Sequence, residues 1–86
     1  MINNFKNKED KKKNYSVALI WPSYHQFISF EGLFELARKY NIEVVNMRYL
    51  RGRDENMNHF IVNGSSKDVE EFRNKLPSIF EDFKII

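Results

Sequence analysis

The sequence predicts an α+β fold: an antiparallel sheet with two helices on one face, in the order β-α-β-β-α with a final short β. Three observations carry this expectation. Runs rich in β-branched and aromatic residues occur at 15–21, 42–50 and 59–63. Apolar residues recur at helical spacing over 27–40 and 69–76. Pro, Asn, Gly and Ser punctuate the intervals.

The first run, Tyr15 to Trp21, is short and closed by Pro22, which holds its predecessor in extended geometry. Phe27, Phe30, Phe34, Ala37 and Tyr40 then mark a helix. Ser23 and Ser29 are rival N-caps for it, Gly32 weakens its middle, and Asn41 suits a left-handed C-terminal cap. Ile42 to Leu50 and His59 to Asn63 read as two strands joined by the polar segment 51–58, most simply an antiparallel hairpin. Gly64-Ser65-Ser66 supplies a turn and a cap. Asp68, Glu70 and Glu71 favour the positive end of a second helix, and Val69, Phe72 and Leu76 form its apolar stripe. Pro77 stops or kinks that helix, and Phe83 to Ile86 reads either as a fourth strand or as more helix. One right-handed crossover puts both helices on the same side of the sheet, which is the ferredoxin-like plan.

Alternation assigns the faces. Val45, Met47 and Tyr49 are expected toward the helices, as are Phe60 and Val62; Val44, Asn46, Arg48, His59, Ile61 and Asn63 fall on the uncovered side. For the first strand, residue bulk favours burying Trp21 with Val17 and Leu19. Ser16, Ala18 and Ile20 then face outward. The reverse choice presents Trp21 to solvent beside Arg48 and His59.

A chain of 86 residues is expected to form one domain, 15–86, behind a basic and disordered tail, 1–14. The tail holds five Lys against Glu9 and Asp10, whereas the remainder is nearly neutral, with nine of the 14 basic and ten of the 12 acidic residues. A phosphate-gripping domain usually carries a basic face; here that footprint is confined to the tail and to Arg48, Arg51 and Arg53. With no cysteine, neither disulfides nor a thiolate metal site can staple the fold. The sequence has no apolar run long enough to span a membrane, and its polar first residues do not resemble a signal peptide, so a cytoplasmic location is expected.

The run from Leu33 through Tyr40, Asn41 and Ile42 to Met47, with the hairpin and Ile61-Val62-Asn63-Gly64 behind it, resembles the small regulatory domains of ACT type. It is also similar to the NIL domain of methionine importer ATPases. The resemblance spans roughly residues 15–86 and implies a ferredoxin-like fold, dimerisation and a regulatory role. Phe27-Ile28 stand where the ACT pattern has a Pro-Gly turn.

Little in the residues points to catalysis. His25 and His59 lack metal-ligand spacing, Ser23 stands only near His25 in sequence, and the three glycines form no phosphate loop. No enzyme activity, cofactor or metal is expected. The reading is a non-enzymatic regulatory or adaptor module that dimerises through Ala18, Ile20, Val44 and Ile61, with a small-ligand cleft at Ser23, Tyr24, His25 and Gln26, where a strand end meets a helix start. A nucleic-acid-binding domain using Trp21, Arg48, Arg51, Arg53 and His59 is the alternative. Behind it stands a protein-inhibiting or chaperone-like module on the same open face.

Overall fold

The computed structural model describes residues 11–25 and 28–86. Residues 1–10 of the expected tail, together with Gln26 and Phe27, lie outside them. The described elements are β1 (Lys13–Pro22), α1 (Glu31–Lys39), β2 (Glu43–Leu50), β3 (Glu55–Gly64), α2 (Ser66–Ile79) and β4 (Lys84–Ile85). The strands form one antiparallel sheet in the order β2-β3-β1-β4.

The centre of that sheet is the ladder between β1 and β3, which runs without interruption from Lys13 opposite Gly64 to Pro22 opposite Glu55. It is longer than the apolar runs suggest. Lys13 and Asn14, assigned by sequence to the tail, are its first rungs, and β3 begins at Glu55 instead of His59. Asparagine disfavours strands, but pairing with a regular neighbour supplies the backbone bonds that propensity alone does not. β4 pairs Leu19 with Ile85 and Ile20 with Lys84, and Ala18 exchanges two backbone hydrogen bonds of 2.9 Å with Ile86. The final segment is therefore a strand.

The helix ends follow local chemistry. Ser65 caps α2, its hydroxyl accepting from the Asp68 amide at 3.1 Å. The helix runs two residues past Pro77, which has no N–H to donate to the Arg73 carbonyl one turn back, and it ends at Ile79. Asn41 takes φ 59°, the left-handed conformation that an Asn tolerates, and turns the chain into β2. At the start of α1, neither rival serine is the cap. Phe30 holds that position without a side-chain bond, and the Ser29 hydroxyl accepts weakly from the Glu31 amide at 3.3 Å.

Both helices contribute to one core. Val17, Leu19 and Trp21 from β1 and Phe60 and Val62 from β3 meet Leu33 and Ala37 of α1 and Val69, Phe72 and Leu76 of α2. On β2 an extra residue between Val44 and Asn46 bulges the strand. The bulge turns Val44 toward the core, against the expectation that it lies on the open face, and leaves Val45 exposed. Met47 and Tyr49 keep the helix-side parity, opposite Phe60 and Asn58, yet both stay largely exposed.

Trp21 is only 3% exposed and stacks on Phe83 and Tyr49 at centroid distances of 5.3 and 6.1 Å, with Phe30 edge-on at 6.1 Å. Truncating Trp21→Ala is expected to destabilise the fold by about 3–5 kcal/mol in denaturant titration, and wild-type tryptophan emission is expected to resist iodide quenching. Ready quenching in the native state would contradict this packing.

Candidate functional site

Beyond Leu19 and Phe60, β1 and β3 continue along the helix-facing side of the sheet, but the helices do not follow. The row of inward positions goes on through Trp21, Asn58 and Asn56, with Met47 and Tyr49 beside it on β2. Among the described residues, His25, Ile28 and Phe30 from the connection between β1 and α1 line this end, and Phe83 stacks on Trp21. Ser23 fastens that connection to the hairpin: its amide donates to the Asp54 carbonyl and its hydroxyl to the Arg53 carbonyl, both at 2.9 Å.

The hairpin tip is shaped by Gly52 and Asn56. A Cβ on Gly52 would run into the Glu55 carbonyl oxygen, so only glycine fits this bend. The Gly52 amide donates to Asn56 Oδ1 at 3.1 Å, and Asn56 is 7% exposed. Arg51 and Arg53 thus leave the chain on either side of a fixed turn.

Two adjoining clefts result. A polar one of about 410 Å³ is lined by Ser23, His25, Tyr49, Arg51, Gly52, Arg53 and Asn56. A more apolar one of about 320 Å³ is lined by Trp21, Ile28, Phe30, Met47 and Asn58, and shares His25, Tyr49 and Asn56 with the first. Among the described residues, no side chain from within α1 or α2 lines either cleft.

The expected site residues are sorted by this geometry. Ser23 and His25 reach the polar cleft, though the Ser23 hydroxyl proton is already engaged with Arg53. Tyr24 is 77% exposed, lies against His25 at 5.1 Å, and does not line it. Gln26 lies outside the described residues. The nucleic-acid set is divided. Arg51 and Arg53 join His25 in the cleft, Trp21 is buried on the helix side, and Arg48 and His59 pair opposite each other on the open face. His59 is also hydrogen-bonded there to the Ser16 hydroxyl. Of the expected interface, Ala18, Ile20 and Ile61 share the open face, with Ala18 already 7% exposed, while Val44 lies on the other side.

Asn56, Asn58, Tyr49, Met47 and Gly52 were not among the expected site residues. A signal for two of them existed. Counting back from Phe60 and Val62 by twos puts Asn58 and Asn56 on the inward face, where a polar side chain needs a reason.

Among the described residues, no three His, Asp or Glu side chains cluster to hold a metal ion, and no helix is long and apolar enough to cross a membrane. The chain matches no protein-family model and no curated relative.

Asn58 carries the most information. It is 2% exposed, and its Nδ2 has no hydrogen-bond partner among the described residues. An unmet buried donor costs about 1–3 kcal/mol. Asn58→Leu, similar in volume, is therefore expected to raise the melting temperature. A lower melting temperature would show that the amide is satisfied in the folded protein.

Proposed function

We propose that this chain is a non-enzymatic regulatory or adaptor module, ferredoxin-like and ACT-like in type, that senses a small ligand at the hairpin end of the sheet and dimerises through the open face. The observation that carries this reading is the convergence of His25, Arg51, Arg53 and Asn56 around one cleft. The element order, together with the strand order β2-β3-β1-β4, supports the ferredoxin-like part. Ligand pockets of a few hundred Å³ commonly pair apolar walls with a few converging polar groups, and the adjoining clefts have that composition.

Dimerisation is supported by the open face. There, among the described residues, Ile20 and Ile61 are half-buried with no layer packed over them, Ile86 is 63% exposed, and the exposed Lys84–Glu55 pair at 3.4 Å lies at the rim. A small fold gains from covering an apolar sheet face. The nucleic-acid reading loses its stacking platform, because the ring of Trp21 is turned away from Arg48 and His59.

Thermal melting against a mixed collection of small metabolites tests the ligand part, and sedimentation tests the assembly. At least one compound is expected to raise the melting temperature, less so in His25→Ala, and the wild type is expected to sediment as a dimer that Ile61→Asp dissociates. A monomeric wild type would remove the dimer. Tight, steeply salt-dependent binding of single-stranded RNA, with no small-molecule response, would replace the whole reading by the nucleic-acid one.

A further inference from the structure

We infer that the two clefts form one site for a small organic anion with an apolar body, its acidic group at Arg51 and Arg53 and its body over Trp21, Ile28 and Met47. This rests on the ligand-sensing reading above and names the chemistry of the ligand.

Charge in the polar cleft favours an anion. Its described lining includes two arginines and a histidine and no carboxylate. The one ion pair among the described residues joins Lys84 to Glu55, so neither guanidinium is neutralised by a salt bridge there. A guanidinium offers a planar fork of donors that matches a carboxylate or phosphate. Two of them, held on either side of the Gly52 bend, define where an acidic group is bound.

The apolar half supplies the second, independent observation. Walls of indole, phenyl, thioether and branched aliphatic side chains suit a ring or a short hydrocarbon chain. Among them stands the buried amide of Asn58, with its Nδ2 unpartnered among the described residues. Rotation about its terminal torsion exchanges oxygen and nitrogen, so the amide can present either a donor or an acceptor to the cleft. An occupant carrying a polar atom on its apolar body would satisfy it. Asn58 lies two residues along β3 from Asn56, roughly 7 Å in a strand, a distance an aromatic ring bridges. The inferred ligand is thus acidic at one end, apolar in the middle and hydrogen-bonding near the other end.

Titration of Trp21 emission with a matched set of probes tests this. The set is para-hydroxyphenylpropionate, phenylpropionate without the hydroxyl, phenyl phosphate, the cationic tyramine, acetate and inorganic phosphate. The hydroxylated acid is expected to bind at least about tenfold tighter than tyramine or acetate, and the double variant Arg51→Ala, Arg53→Ala to lose that preference. Comparing phenyl phosphate with phenylpropionate, and with bare phosphate, identifies which acid the arginines prefer. Asn58→Leu is expected to weaken the hydroxylated acid and leave phenylpropionate unchanged, a difference that general damage to the fold would not produce. Equal binding of tyramine would overturn the anion assignment while leaving the cleft a ligand site. If no probe of either charge moved the emission or the melting temperature, this inference would fall, and the ligand-sensing reading would fall with it only if the mixed metabolite collection also failed to raise the melting temperature.

Discussion

The ladder between β1 and β3 is the constraint on which the rest of the structure depends. Its register places Val17, Leu19 and Trp21 on the helix side with Val62, Phe60 and Asn58, and Ser16, Ala18 and Ile20 on the other. Side chains alternate with a period of two. A slip of one residue would therefore bury Ser16 and expose Trp21. The same register carries the sheet past the helices. The helices bury one part of the inner face, and the remainder, around Trp21 and the two asparagines, needs another cover. Among the described residues, Phe83 and, from the β1–α1 connection that Ser23 fastens to the hairpin, His25, Ile28 and Phe30 contribute to it, and the clefts lie between these, β2 and the hairpin tip.

Trp21 joins the two regions. Its ring faces Phe83 near β4 on one side and Tyr49 of the exposed β2 edge on the other, and Phe30 links it onward to Phe60 at 5.4 Å and Phe80 at 6.2 Å. The aromatic cluster belongs to the core and also forms one wall of the apolar cleft. A ligand on that wall would contact side chains packed against both the sheet and the end of α2, which gives binding a physical route to the stability of the whole fold. Asn58 stands on the same inward row, where an apolar residue would pack without penalty. Local departures from the packing rule of this kind are expected where a fold serves binding as well as stability.

Much of this arrangement is legible in the residues. Pro22, Asn41 and Ser65 mark where elements end or begin because each favours a particular backbone state or cap; alternation gives the faces of β3, and the bulk of Trp21 chooses between the two faces of β1. The start of β3 is not legible from propensity, since Asn56 and Asn58 sit in a segment that resembles a loop until β1 is laid beside it. The bulge at Val45 is equally hidden. An extra residue leaves no mark in a run such as Glu43-Val44-Val45-Asn46, and it reverses the face of Val44. Ser23 resembles a cap, but the partner that claims it, the Arg53 carbonyl, is 30 residues distant. The site is half legible for the same reason. His25 and Ser23 stand out by position at a strand end, and Arg51 and Arg53 by charge. That the two pairs line one cleft depends on how the hairpin folds back, which is long-range information.

On the proposed reading, the hairpin end of the sheet, and not its open face, is where a small ligand binds. The most direct measurement is nuclear magnetic resonance mapping of the isotope-labelled chain titrated with para-hydroxyphenylpropionate. Shifts are expected to concentrate at the Trp21 indole N–H, the Gly52 amide, the Arg51 and Arg53 guanidinium groups and the side-chain amide of Asn58. Shifts concentrated instead at Ser16, Ala18, His59 and Ile61, with the Asn58 amide unmoved, would contradict that reading.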